Sequence, residues 1–433
     1  MRALPAVLVL ALCCPYAAAQ DGGAAFTPRA YVAAVLEASP SIARAELALS
    51  RAESEYKAAV LDAALPSFAL SLSGSLYDDA DSRLRLERGD FTSSLSASWN
   101  LYDSASGPLR RIRTARLDHE QAKLTFLIAK QEEALKALRR LYTLYSARGR
   151  VAAAGANLAS RERQYKDTNA QYLSGTRSRI EVMQSEGDKL QSELSLAQAD
   201  TAEIKALMAF NELINADPVA PAEVEVSTSV PDIELPLPAS DVVRALESNF
   251  SLRRRRLALE KSRITTRNAV AAEFPRLRLD ASWAKSGLGI VGEPAYGGAG
   301  NPDYGLRASV SFPFGFFWAQ NALEIRRTRD ALSSAEADLR DAERALRTEV
   351  LTAQKEIELQ VRSRNLLEFQ VRTQRESTDN LLSEYSLGGA NMLQLDTAQT
   401  KLLDSTNGRI AAINALDIAL AGYRALLGER IWE

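Results

Sequence analysis

The sequence predicts an α+β fold in which long helical hairpins adjoin short pairs of β-strands, and three observations support this. The prolines are confined to a few segments, which leaves two long stretches free of proline. Four other segments alternate apolar and small polar residues. The second half of the chain also repeats the first at a nearly constant offset. The sequence of 433 residues therefore predicts two tandem copies of one structural unit.

The proline-free stretches, 109–217 and 314–433, predict the helices. Proline in a helix interior costs about 3 kcal/mol, so its absence over such lengths permits very long helices. Apolar residues recur there at alternating spacings of three and four, as in Leu332, Ala335, Leu339, Ala342 and Leu346. This spacing is typical of a coiled-coil seam.

The duplication extends over almost the whole predicted mature chain. At an offset of 210 residues, Leu36-Glu37 matches Leu246-Glu247; at an offset of 213, Ile112-Arg113 matches Ile325-Arg326. Arg116 and Arg329, Tyr172 and Tyr385, and Gly175 and Gly388 also match at the second offset. A shared offset over almost 200 residues indicates an internal repeat.

The first residues predict export from the cytoplasm. Arg2, the apolar run 6–12 and the small residues Ala17 to Ala19 are typical of a secretory signal peptide over 1–19. Cys13 and Cys14 are the only cysteines and lie inside this segment, so we expect a mature chain without thiol, disulfide or cysteine metal site.

Bulk composition excludes several functions. A net charge of −2 gives no sign of nucleic-acid binding. No other apolar run reaches the roughly 18 residues of a spanning helix, His119 is the only histidine, and no catalytic or nucleotide-binding motif is present. We expect no enzyme, no cofactor and no metal site.

Two segments with a period of two lie between the helices of each copy. We predict strands over about 67–77 and 91–102 in the first copy, and over about 276–285 and 304–314 in the second. One face is apolar and the other small and polar, as in a membrane barrel around water. The apolar faces are Phe68, Leu70, Leu72, Gly74 and Leu76; Phe91, Leu95, Ala97, Trp99 and Leu101; Leu277, Leu279, Ala281 and Trp283; and Tyr304, Leu306, Ala308, Val310 and Phe312.

Four strands are too few for a closed barrel, because the smallest membrane barrels have about eight and an open edge in lipid leaves backbone groups unsatisfied. Several chains must then contribute to one barrel; the residues alone allow two chains or three. A soluble, half-exposed sheet would show the same alternation and is the alternative.

The predicted organisation is a signal peptide at 1–19, a first repeat at 20–215 with its hairpin tip near 175, and a second repeat at 241–433 with its tip near 388. A proline-rich linker at 216–240 joins the repeats.

Signal peptide, duplication, strand pairs and long helices together resemble the TolC-like outer-membrane efflux family. The closest local matches are the tips, Tyr172-Leu173-Ser174-Gly175-Thr176 before Ile180-Glu181-Val182, and Tyr385-Ser386-Leu387-Gly388-Gly389 before Met392-Leu393-Gln394-Leu395. The joints Trp99-Asn100-Leu101-Tyr102-Asp103 and Phe312-Pro313-Phe314-Gly315 are also similar to those of the family.

The resemblance implies a homotrimer in the outer membrane, with a shared β-barrel continuous with a helical tunnel in the periplasm. It also implies an exit duct of tripartite efflux or type I secretion systems, which receives material from a periplasmic adaptor and, indirectly, an inner-membrane transporter of the RND, ABC or MFS type. Its other contact is outer-membrane lipid.

The resemblance further suggests site residues. Gly175, Thr176, Gly388 and Gly389 would form the adaptor-docking tips. The alternative for the glycines is simple helix termination, and both explanations can hold together. Acidic residues after the tips can ring the closed entrance of such channels. Glu181 lies at such a position; the second copy has Gln394 instead, with Asp396 two residues further on.

Arg276, Arg278 and Arg307 alternate with the apolar residues of the second strand pair and would line the lumen. Three arginines would favour anions, and Asp280 on the same face partly offsets them.

Two other functions fit less of the sequence. One is a periplasmic coiled-coil tether anchored in the outer membrane without a pore; the other is a secreted adhesin-like sheet on a stalk. Conductance in a planar bilayer separates the channel from the tether.

Overall fold

The computed structural model describes residues 25–74, 89–103, 107–226, 238–289, 302–312, 316–386 and 389–432. The predicted signal peptide, residues 227–237 of the predicted linker, and Gly388 lie outside the described residues. The elements are α1 (Pro28–Ala38), α2 (Pro40–Ala64), β1 (Ser67–Gly74), β2 (Gly89–Asp103), α3 (Pro108–Leu173), α4 (Arg179–Leu213), α5 (Pro238–Ser248), α6 (Phe250–Ala271), β3 (Arg276–Gly289), β4 (Asp303–Ser311), α7 (Phe316–Ser386) and α8 (Met392–Leu426).

Helices α3 and α7 contain 66 and 71 residues. Neither contains proline after its first residue, so no backbone donor is missing along their length. Helix α2 begins at Pro40, where the locked φ of proline suits the first helical turn. The proline pattern thus places these helices correctly.

The chain divides into two compact units, each of which takes segments from both repeats. Unit 1 comprises residues 1–34, 137–232 and 373–410; unit 2 comprises 35–136, 233–372 and 411–433.

In unit 1, an aromatic cluster joins the N-terminal segment to the end of α4. Tyr31 stacks on Phe210 with 3.9 Å between ring centroids, and its hydroxyl donates a 2.8 Å hydrogen bond to the Phe210 carbonyl. Phe26 packs edge-on against both rings and forms a parallel bridge with Val224. This bridge holds the beginning of the linker segment against the N-terminal segment.

In unit 2, the four strands form one antiparallel sheet in the order β1-β2-β3-β4. The register places the predicted apolar residues on one face: Phe68 opposes Ala97, Ala97 opposes Ala281, and Ala281 opposes Leu306. This face is open to solvent in the single chain; Leu70 is 69% exposed and Leu306 76%. The prediction of four strands with two distinct faces is therefore confirmed.

One register detail differs from the sequence prediction. We expected Leu101 to continue the apolar face of Trp99, but the pairing of β2 with β3 shifts between Asn100 and Tyr102. Leu101 is an extra residue, and Tyr102 rather than Leu101 lies opposite Leu277. A bulge of this kind exchanges the two faces beyond it, which period-two counting cannot detect.

Helices α2 and α6 pack beside α3 and α7 in unit 2. His119 on α3 stacks on Tyr56 of α2, and Asp118 on α3 forms a 2.5 Å ion pair with Lys261 of α6. Helix α6 also pairs with α7 through Arg256–Glu343 at 3.2 Å and Arg263–Glu336 at 3.5 Å.

No helix within the described ranges combines the length and apolar character required to cross a bilayer.

Candidate functional site

The first hairpin tip connects α3 to α4 through a glycine with a left-handed backbone. Gly175 has φ +80°, its N–H donates to the Tyr172 carbonyl at 2.9 Å, and the Thr176 N–H donates to the Gln171 carbonyl at 2.9 Å. These two bonds form a Schellman motif, which ends a helix with glycine in this conformation. Gly175 and Thr176 are therefore the residues that reverse the chain.

The second tip repeats part of this geometry. The Gly389 N–H donates to the Glu384 carbonyl at 2.9 Å, which is the equivalent of the Thr176 bond at the offset of 213. Gly388, the equivalent of Gly175, is outside the described residues.

Glu181 caps the first turn of α4. The Ser178 hydroxyl accepts from the Glu181 N–H, while the Glu181 carboxylate accepts from the Ser178 N–H at 2.9 Å. This reciprocal pair is a capping box. The Ser178 backbone bond, with help from Arg177 at 3.0 Å, lowers the pKa of Glu181 and keeps the carboxylate charged.

Gln394 is the repeat equivalent of Glu181 and likewise caps the first turn of its helix, α8. The Asn391 N–H donates to its side-chain oxygen at 3.1 Å, and the Asn391 side chain accepts from the Leu393 N–H at 3.1 Å. A capping box accepts glutamate or glutamine at its third residue. The exchange of Glu181 for Gln394 between the repeats therefore preserves the cap while it removes the charge.

Asp396 belongs to an ion-pair network centred on the buried Arg161. Its carboxylate is 2.6 Å from Arg161 of α3, whose second partner is Asp188 of α4 at 3.6 Å. Arg161 is only 4% exposed, and burial raises the pKa of Asp188. Asp396 is thus committed to an intramolecular partner and joins α8 to α3.

Tyr385 anchors a second contact between the hairpins. It is 2% exposed, and its hydroxyl lies 3.1 Å from that of Thr168 on α3. The Arg177 guanidinium lies 4.5 Å from the centre of its ring. Tyr172, its repeat equivalent, is 39% exposed. The same residue therefore packs inside one tip and projects from the other.

Sequence reasoning missed Arg161, Asp188 and Arg177. Arg161 and Asp396 are 235 positions apart, and no local pattern marks charged helix residues as partners. The capping boxes did leave a signal, because Ser178-x-x-Glu181 and Asn391-x-x-Gln394 have the spacing of this motif.

The four candidate lumen residues share the polar face of the sheet. Arg276, Arg278 and Asp280 alternate along β3, and Arg307 lies directly opposite Asp280 on β4. Arg278 donates to Asp280 at 2.7 Å. On β1 and β2 the same face carries serines, with hydroxyl pairs Ser67–Ser98 and Ser71–Ser94 at 2.7 Å. The polar face therefore carries small serine side chains on β1 and β2 and charged side chains on β3 and β4.

Across the described segments, no cluster of three or more histidine, cysteine, aspartate or glutamate side chains is arranged to hold a metal ion.

Comparison with known proteins extends this picture. Residues 242–429 match the outer membrane efflux protein family. No curated protein sequence matches the chain.

Several solved structures share the fold over nearly the entire length. CusC is 14% identical, with a TM-score of 0.80 over 93% of this chain and 92% of that chain. The outer membrane protein VceC of Vibrio cholerae is 15% identical, with a TM-score of 0.79 over 93% and 96% of the two chains. The MtrE outer membrane channel of Neisseria gonorrhoeae, in its open state, is 18% identical, with a TM-score of 0.78 over 93% and 89%.

The family match covers the second repeat. The shared fold covers both repeats, so the fold of TolC-like outer-membrane channels, which the resemblance drawn from the sequence implied, is confirmed.

Proposed function

We propose that three copies of this chain form one outer-membrane channel that passively conducts material delivered by a periplasmic adaptor and an inner-membrane transporter. The observation that carries this proposal is the four-stranded sheet. Its order leaves β1 and β4 each with a single neighbour among the described strands, and one of its faces is apolar and exposed. In a membrane both edges need partners, and further copies of the sheet supply them.

A second open surface supports assembly. On α4 the positions 180, 183, 187, 190, 194, 197, 201, 204 and 208 alternate spacings of three and four, and six of them are exposed large apolar residues: Ile180, Met183, Leu190, Leu194, Ile204 and Met208. In unit 1, α4 contacts α3, α3 contacts α8, and α8 contacts α7. Helix α4 is thus an outer member of this set, and we propose that its seam packs against the next copy.

Conductance in a planar bilayer tests the proposal. The purified protein should produce discrete channels, because the polar face would surround a water-filled lumen. A protein that inserts into the bilayer without conducting would be the tether considered above, and the channel proposal would then be wrong.

We further propose that the tips, including Gly175, Thr176, Gly388 and Gly389, dock the adaptor, and that Glu181, Gln394 and Asp396 lie at the periplasmic entrance. The support is the match of the tip sequences to the family and the clustering of the described members of these residues at the hairpin ends. In such systems the inner-membrane transporter determines the cargo, so we propose no cargo for this chain.

The gate assignment of Glu181 has a sharp test. Glu181→Gln preserves the capping box, as Gln394 does in the second repeat, and removes only the charge. If Glu181 contributes to the entrance, this variant changes single-channel conductance or block by divalent cations. If Glu181→Gln has no effect while Glu181→Ala destabilises the tip, the residue is a cap and nothing more.

A further inference from the structure

The helices that follow the sheet carry exposed arginines that the channel function does not use. Arg113 and Arg116 lie near the start of α3, and Arg326 and Arg329 lie at the equivalent positions of α7, at the offset of 213. All four are exposed, and none forms an ion pair with another described residue. Each pair is spaced i, i+3, which places its members on one side of the helix.

On α3 these arginines lie away from α2 and α6; α8 contacts that side of α3 only further along the helix, as at Gln131. Helix α2 contacts α3 at His119 and Glu133, and α6 contacts it at Arg110 and Asp118. At about 100° per residue these four positions fall within one half of the helix circumference. Arg113 and Arg116 fall in the other half.

Helix α7 repeats the arrangement. Its contacts with α6 use Thr328, Glu336 and Glu343, which lie within about a quarter of the circumference. Arg326 and Arg329 lie outside that sector. Leu323, one turn closer to the sheet than Arg326, is 68% exposed.

Exposed apolar residues occupy the joints between sheet and helices. Leu65 precedes β1, Phe274 precedes β3 and Phe312 follows β4, and each is 57% exposed. From the sheet towards the helices, the surface therefore changes from apolar strands to apolar joints and then to arginines. This is the order of a protein surface that crosses from hydrocarbon into headgroups, where arginine extends its charge to phosphate.

We propose that Arg113, Arg116, Arg326 and Arg329 form a basic collar that binds the phosphates of anionic phospholipid headgroups in the periplasmic leaflet of the outer membrane. The proposal rests on the proposed function in one respect, namely that the apolar face of the sheet faces lipid. Charge complementarity and continuity with that face identify the occupant. Guanidinium groups match phosphate geometry in a bidentate manner.

The test uses the full-length protein reconstituted in vesicles of phosphatidylcholine mixed with phosphatidylglycerol. After gentle extraction, native mass spectrometry measures the ratio of the two lipids retained on the protein. The wild type should enrich phosphatidylglycerol over the vesicle composition, and high salt during extraction should reduce the enrichment, because screening weakens exposed charges. Enrichment that is absent, or that salt leaves unchanged, overturns the proposal without any variant.

Variants then localise the site. Replacement of all four collar arginines by glutamine should lower the enrichment by about fivefold or more, since each basic residue near an anionic surface contributes about that factor. Replacement by lysine should preserve most of it. If the glutamine variant retains full enrichment, the collar is not the lipid site.

Two controls are matched to the collar. Arg111 is exposed on the same turn of α3 but lies in the half that contacts α2 and α6, so Arg111→Gln should leave the enrichment unchanged. A second set of four exposed arginines, all further along the helices from the sheet, should also have no effect when changed to glutamine: Arg139, Arg150, Arg340 and Arg347. Equal loss from either control would mean that net charge, and not the collar, governs lipid retention.

Channel recording separates this proposal from the proposed function. Collar variants that conduct normally but lose the lipid preference support both proposals. If neither wild type nor variants conduct, the channel proposal fails irrespective of the lipid result.

Discussion

Gly175 ends α3 with φ +80°, a conformation that costs a residue with a side chain about 1 to 2 kcal/mol. A Cβ atom added there would meet nothing within 4 Å, so backbone strain is the entire cost of a substitution. Gly155, inside α3, also has open space at its Cβ position, and its φ is that of an ordinary helix. An added side chain would clash at neither glycine, so the comparison isolates the effect of the backbone conformation.

Gly175→Ala should therefore destabilise the first tip by about 1 to 2 kcal/mol, whereas Gly155→Ala should stabilise α3 by about 0.5 to 1 kcal/mol. Hydrogen exchange of the amides at residues 165–185 measures the first effect. Equal behaviour of the two variants would show that the left-handed turn is not required.

Asp417 is a titrating group on α8 in unit 2. Burial raises its pKa from 3.8 to about 6, and Arg364 on α7 opposes the shift. Because the folded chain binds this proton more tightly than the unfolded chain, stability contributed by protonated Asp417 is complete below about pH 3.8 and is lost as the pH rises to about 6. At neutral pH the charged, partly buried Asp417 carboxylate therefore lowers the stability of the folded chain.

Asp417→Asn should accordingly raise the melting temperature at pH 7 and have little effect at pH 4, where the wild-type side chain is largely neutral. Thermal unfolding followed by circular dichroism at the two pH values checks this. A larger gain at pH 4 than at pH 7 would reverse the sign and contradict the assignment.

Helices and strands were predictable because their signals are local. Proline exclusion delimits α3 and α7, and period-two alternation places residues such as Phe68 and Leu306 on one face of the sheet. The bulge at Leu101 was not predictable, because Leu101 itself continues the alternation of apolar residues set by Ala97 and Trp99 in the sequence. The contacts near the tips were also not predictable from the sequence. Arg161 and Asp396 form an ion pair only because the two hairpins pack together.

The open seam on α4 provides a prediction at the scale of a single helix. Leu194 is 52% exposed in the single chain and lies in the middle of the seam. A charge placed there should prevent close packing with another copy, since burying it unpaired is costly. Leu194→Arg should reduce the fraction of oligomer in size-exclusion chromatography.

Gln191→Arg is the matched control for Leu194→Arg, because Gln191 is exposed on the same helix and lies outside the seam. This variant should assemble normally. Loss of oligomer in both variants, or in neither, would indicate that the seam is not a contact surface.

At the scale of the whole molecule, the two repeats supply equivalent elements with different surfaces. The first repeat contributes a serine-lined strand pair and an exposed Tyr172, and the second contributes charged strands and the buried Tyr385. Duplication thus explains the common architecture, while the differences between the copies give the two tips and the two strand pairs different surfaces. Under the proposed function, four strands per chain is the feature that requires assembly.

Native mass spectrometry of the detergent-solubilised protein tests this necessity most directly. Three chains sharing one barrel should give a complex with three times the mass of the processed chain, stable under gentle activation, because separation would expose the edges of β1 and β4. A stable monomer that nevertheless conducts in bilayers would contradict the account, since one sheet would then have closed without partners.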